Sequence, residues 1–169
     1  MTRAFVALGS NLECPARQIR AAFAALALLP DTTLTRTSSL FRTTPVGYLD
    51  QPDFINAVAE LDTMLAPVDL LHALLAIEAD FGRVRSFRNA PRILDLDLLW
   101  YQDAMLDGPD LTLPHPRMHE RAFVLYPLAE LAPDLPIGAH GRAGDLAARC
   151  PAEGIGRLPS EDEDNESPE

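Results

Sequence analysis

Apolar positions recur along this chain with two different periods, and the switches between them mark out its elements. "AFVALG" (Ala4–Gly9) is a continuous apolar run stopped by glycine, the pattern of a buried strand. After the turn-like "SNLECP", Pro15 suits the first turn of a helix, and Ile19, Ala22, Phe23, Leu26 and Leu29 keep helical spacing until Pro30. "TTLTRTSSLFRT" (Thr32–Thr43) is β-branched and polar and predicts one strand, followed by a loop over 44–53 with two prolines and a glycine. In "FINAVAEL", alternation puts Phe54, Asn56 and Val58 on one face and Ile55, Ala57, Ala59 and Leu61 on the other. "APVDLLHALLAIEADFG" is the clearest helix, with Pro67 near its start, Asp69 in the first turn and Gly82 as terminator. A strand is predicted over Ile93–Tyr101, an irregular stretch through the prolines at 109, 114 and 116, a short helix over Ala122–Pro133 interrupted near Pro127, and another around Ala143–Arg149.

The order β-α-β-β-α-β predicts an α+β protein with a ferredoxin-like core: an antiparallel sheet with two helices on one face, plus C-terminal additions. The length of 169 residues and the lack of a repeat or internal linker predict a single domain over 1–159. The final nine residues, "EDEDNESPE", hold six acids, no base and nothing apolar, so 160–169 are expected to be a disordered acidic tail.

Charge narrows the function. The net charge of −11 falls to −5 with those six acids set aside, and neither value suits a nucleic-acid binder. No apolar stretch is long enough to span a membrane. The opening "MTRAFVALGSN" has a single arginine and only a short apolar run, so a soluble cytoplasmic protein is expected. Cys14 and Cys150 share no spacing motif and are expected to be reduced thiols. All fourteen basic residues are arginine. Lysine chemistry is thereby excluded, and an anionic ligand must be held by arginine forks, backbone N–H groups or a metal ion.

The densest chemistry lies in "RVRSFRNAPRILDLDLLWY". Arg83, Arg85, Arg88 and Arg92 fall within ten residues, and Asp95 and Asp97 follow inside an apolar run. On a strand these carboxylates project together, roughly 6–7 Å apart, with Leu94, Leu96 and Leu98 turned the opposite way. A D-x-D pair is also found on solvated sheet faces. Here, however, hard oxygen ligands beside clustered arginines suit Mg²⁺ and a phosphate-bearing substrate. "HPRMH" sets His115 and His119 four apart, but Pro116 and the lack of a carboxylate partner argue against zinc. His72, His140, Arg36 and Arg42 read as surface residues. From the residues alone a phosphoryl-type transferase, a metal-dependent phosphodiesterase and a non-catalytic ligand-binding module all stand open.

"RNAPRILDLDLL" closely resembles the signature of the 6-hydroxymethyl-7,8-dihydropterin pyrophosphokinase family. "ALGSNL", "SSLFRTTPVG", "QPDFINAV", "IEADFGRVR" and "LTLPHPRMHERAFVLYPLAELAP" resemble further family blocks in order, over about residues 3–135. The resemblance implies transfer of the β,γ-pyrophosphoryl unit of ATP to the hydroxymethyl dihydropterin with release of AMP. It implies that Asp95 and Asp97 hold two Mg²⁺ ions, and that Arg83, Arg85, Arg88 and Arg92 hold phosphates. His115, Arg121 and Thr112 would contact the nucleotide. Thr43, Thr44 and Val46 would line the pterin site, with Asn56 reading the ring edge and Phe54 and Phe123 stacking on its faces. Read alone, Phe54 and Phe123 would be core residues, while an asparagine at 56 in a strand is less expected. A monomer acting on these small molecules, with no nucleic-acid or membrane partner, is the expectation.

Overall fold

A computed structural model describes residues 1–45, 49–82, 91–152 and 154–159. The acidic tail and the expectation of its disorder lie outside the described residues. In chain order the elements are β1 (Thr2–Ser10), α1 (Pro15–Ala27), β2 (Thr32–Thr37), β3 (Phe41–Thr43), β4 (Phe54–Thr63), α2 (Pro67–Asp80), β5 (Asp95–Tyr101), β6 (Leu106–Asp107), β7 (Thr112–Leu113), a 3₁₀ turn (Met118–Glu120), α3 (Ala122–Leu131), α4 (Ala143–Arg149) and β8 (Ile155–Arg157).

The main sheet is antiparallel, in the order β5-β1-β4-β3-β8, with β2 also on β4. The strand expected over Thr32–Thr43 is broken. Both pieces pair with β4, and at the break the Val58 N–H donates to the Ser38 hydroxyl at 2.9 Å. A side-chain oxygen has replaced a ladder carbonyl there, which periodicity does not signal.

One face of the sheet carries Val6, Leu8, Ala57, Ala59, Leu61, Leu96 and Leu98, packed against Ile19, Ala22 and Leu26 of α1 and Leu70 and Leu74 of α2. The other face carries Phe5, Val58 and Leu99, packed against Val124, Leu125 and Leu128 of α3 and Ala143 at the start of α4. The two core helices α1 and α2 therefore share one face, as expected, and the C-terminal helices α3 and α4 cover the other. α3 also runs unbroken through Pro127. Its apolar positions 124, 125, 128 and 131 form one buried stripe, and that burial outweighs the ~3 kcal/mol that an interior proline costs.

Arg36 and His140 are exposed, as expected, but each has a partner. Arg36 is bound to the Glu60 carboxylate, at 2.8 Å from Nη2, and donates to the Leu131 carbonyl, tying the end of α3 to the sheet. His140 stacks face to face on His119, with centroids 3.6 Å apart, and so joins the 3₁₀ turn to the segment before α4.

Candidate active site

α3 and α4 cover only part of the second face, and the remainder is the floor of a cavity of about 530 Å³. Register explains its composition. Gly9 of β1 lies opposite both Asn56 of β4 and Asp95 of β5, and Ala7 lies opposite both Val58 and Asp97. Two small residues thus separate a carboxylate pair on one side from an amide on the other. A Cβ at Gly9 would stand 2.9 Å from Asn56 Oδ1, closer than packing allows, so glycine is what lets the amide lie across the floor.

On the amide side, Asn56 is buried and its Nδ2 donates to the Thr43 hydroxyl at 2.7 Å, which fixes which way the amide points. Phe54 stands at the start of β4 and Phe123 in the first turn of α3, and both line the cavity. The Arg121 guanidinium carbon is 5.5 Å from the Phe123 ring centroid, a cation–π contact that steadies the ring.

On the carboxylate side, Asp95 and Asp97 line the cavity with Arg92, Arg117, Glu120 and Arg121. Arg92 Nη1 donates to Asp95 at 3.1 Å. Between the two aspartates, the edge-strand N–H of Leu96 donates to the buried carboxylate of Glu78 at 2.6 Å, so α2 pins the strand that presents them. Burial lowers the pKa of Arg121, against the opposing charge of Asp97, which leaves a poorly hydrated cation facing the cavity. Burial, then Arg121 and Arg117, push His115 down to about 4, with Asp95 acting the other way. The Arg117 N–H donates to His115 Nδ1 at 3.1 Å, which assigns the remaining ring proton of the neutral imidazole to Nε2.

Asn11 braces the rim. Its Nδ2 donates to Gln51 Oε1 at 2.8 Å and to the Pro52 carbonyl at 3.0 Å, and its Oδ1 accepts the Arg92 N–H at 2.8 Å. One buried amide thereby joins the end of β1 to the chain before β4 and the chain before β5.

Of the residues singled out in the sequence, Thr43, Thr44, Phe54, Asn56 and Phe123 meet Arg92, Asp95, Asp97 and Arg121 in this one cavity. Thr112 lies on β7, paired with β6, and neither it nor His115 is part of the cavity wall. Arg83, Arg85, Arg88 and Val46 lie outside the described residues. Sequence reasoning missed Gly9, Asn11, Glu78, Arg117 and Glu120. A glycine ending a strand signals close approach, and an asparagine in a turn signals side-chain bonding to backbone, but neither says to what.

The donor set fits a hard divalent cation. Among the described residues no group of three or more His, Cys, Asp or Glu can hold a metal ion. An ion at the two aspartates would therefore draw further oxygens from a bound substrate, as Mg²⁺ does with phosphates. Among the described residues no helix is long and apolar enough to cross a membrane.

A family model described as 7,8-dihydro-6-hydroxymethylpterin-pyrophosphokinase (HPPK) matches residues 5–133. A Pseudomonas aeruginosa protein named 2-amino-4-hydroxy-6-hydroxymethyldihydropteridine pyrophosphokinase is 55% identical over 157 residues, covering 93% of this chain and 97% of its own. A Methylorubrum extorquens protein of the same name is 45% identical over 158 residues, covering 94% and 99%. A solved HPPK-DHPS in complex with substrates shares the fold at a TM-score of 0.72 and 12% identity, over 93% of this chain and 48% of that one. The Plasmodium falciparum HPPK-DHPS triple mutant with pteroate gives 0.68 at 15% identity, over 92% and 46%, so this chain spans about half the length of those structures. With the cavity-lining residues of β1, β3, β4 and β5 and helix α3 inside the matched span, the chain belongs to the 7,8-dihydro-6-hydroxymethylpterin-pyrophosphokinase family.

Proposed function

We propose that this protein transfers the terminal pyrophosphoryl unit of ATP to 6-hydroxymethyl-7,8-dihydropterin, giving AMP and the pterin diphosphate for folate synthesis. The observation that carries this reading is the two-sided cavity. A fixed amide stands on one side of a small-residue floor, a carboxylate pair among arginines stands on the other, and two aromatic rings line the same cavity. The first set suits a flat heterocycle with donors and acceptors on its edge, and the second suits a metal–triphosphate.

Asn56, oriented by Thr43, reads the pterin edge, with Thr44 and Val46 beside it. Phe54 and Phe123 hold the ring so that its hydroxymethyl group points across Gly9 and Ala7 towards the carboxylates. Asp95 and Asp97 hold Mg²⁺, two ions being the number the family resemblance implies. When bound, Mg²⁺ neutralises phosphate charge and fixes the triphosphate for in-line attack. Arg92 and Arg121, with Arg83, Arg85 and Arg88, bind phosphate oxygens. His115, neutral at physiological pH, donates from Nε2, and Thr112 contacts the adenosine side. The hydroxymethyl oxygen bonds to the β-phosphorus, the bond to the α,β-bridging oxygen breaks, AMP departs with that oxygen, and the hydroxyl proton is released. Catalysis is then mostly positioning and electrostatics.

We read the core as ferredoxin-like, supported by the element order β1-α1-β2/β3-β4-α2-β5, within one domain over 1–159 that continues into C-terminal additions. The setting we propose is cytoplasmic and monomeric, with no nucleic-acid partner, which the net charge of −11 supports. The test is to supply ATP, Mg²⁺ and the hydroxymethyl pterin and follow nucleotides by chromatography. AMP formed only when pterin and metal are both present is the expected result. ADP, or AMP formed without pterin, would overturn the assignment in favour of a hydrolase or phosphodiesterase.

A further inference from the structure

We infer that the C-terminal strand β8, through Gly154 and Ile155, is a wall of the pterin pocket and sets the position of Thr44 within it. The family match ends at residue 133, so this contribution lies beyond the matched span. β8 pairs with β3 at the sheet margin, in the register Phe41↔Arg157, Arg42↔Gly156 and Thr43↔Ile155. That register brings Gly154 and Ile155 to the cavity, which both of them line. Beyond the last strand pair, the Thr44 N–H donates to the Gly154 carbonyl at 2.9 Å.

The contact is close as well as hydrogen-bonded. A Cβ at Gly154 would meet Thr44 Oγ1 at 2.5 Å and Thr44 Cγ2 at 3.4 Å, and the backbone there has φ +76°, which favours glycine. Thr44 therefore sits against bare backbone. Its neighbour Thr43 is the hydroxyl that orients the Asn56 amide. The chain of placement runs from β8 to Thr44, to Thr43, to the group that reads the ligand's edge. An element remote in sequence thus acts as a positioning device for heterocycle recognition, while the carboxylates and Arg92 lie across the floor on β5 and the chain before it.

The inference rests on the pterin reading above, and the experiment separates the two. Gly154→Ala is compared with Gly156→Ala, two residues on and within β8, where an added Cβ meets nothing within 4 Å. Steady-state kinetics and calorimetric titrations are run with each substrate separately. Gly154→Ala should raise KM for the pterin about tenfold or more through displacement of Thr44. KM for ATP and nucleotide affinity should stay within about twofold, and Gly156→Ala should match wild type. Adding Thr44→Ala to Gly154→Ala removes the atoms that collide and should recover part of the pterin affinity. If Gly154→Ala does not fold, Ile155→Ala reads the same wall without a clash and should weaken pterin selectively. Unchanged pterin KM in Gly154→Ala, or equal weakening of both substrates, would overturn the inference. Wild type failing to bind pterin at all would instead overturn the functional reading beneath it.

Discussion

Asn11 offers the sharpest test of how the site is held together. The residue is 2% exposed and makes three side-chain hydrogen bonds, to Gln51, to the Pro52 carbonyl and from the Arg92 N–H. A net protein hydrogen bond contributes about 1 kcal/mol, and a buried group left unpaired costs about 1–3 kcal/mol. Asn11→Ala strands a backbone carbonyl and a backbone N–H, whereas Gln51 can turn to water. The expected loss is therefore about 2–3 kcal/mol, less than three full penalties. In urea, with a slope of about 1–3 kcal/mol/M, the midpoint should fall by about 0.7–3 M. Asn11→Asp is the informative companion. It keeps the acceptor for Arg92 but sets a carboxylate oxygen against the Pro52 carbonyl, which cannot reverse its polarity, so it should be no more stable than alanine. Because Arg92 is held next to Asp95, kcat/KM for ATP should also fall, by about tenfold. A loss below about 0.5 kcal/mol, or an aspartate variant as stable as wild type, would refute the bracing role.

Gly9→Ala should displace the Asn56 amide, raising pterin KM several-fold in steady-state assays and costing about 1 kcal/mol in thermal or urea unfolding, because its Cβ would lie 2.9 Å from Oδ1. Asp97→Asn should lower kcat by about a hundredfold or more while calorimetry still detects pterin binding; near-normal turnover would remove Asp97 from the chemistry. His115, with its pKa lowered to about 4, should show no titration of its ring proton between about pH 5.5 and 8 by NMR in the ligand-free protein. The sign follows from linkage. The unfolded chain takes up a proton near pH 6.5 that the folded chain refuses until about 4, so this group's contribution to stability is intact above 6.5 and lost as pH falls from 6.5 towards 4. His115→Gln should flatten that part of the stability profile.

Local pattern carried most of the elements and half of the site. Period-two alternation assigned Ile55, Ala57, Ala59 and Leu61 to one core and Asn56 and Val58 to the other side, and the structure agrees. The same rule turned Leu94, Leu96 and Leu98 away from Asp95 and Asp97. These features are decided within a few residues by strand geometry, so the chain alone determines them. What lies opposite what is a matter of register and closure, settled by contacts far apart in sequence. Gly9 faces Asn56 and Asp95 only because β1 pairs with both β4 and β5. α3 crosses to the second face because its apolar stripe, Pro127 included, finds Phe5, Val58 and Leu99 there. Gly154 meets Thr44, 110 positions earlier, because β8 closes the margin of the sheet. The sequence by itself determined which side chains could do chemistry. Tertiary structure decided which of them share a cavity, since burial rewards any apolar pairing that fits and only the closed fold selects one.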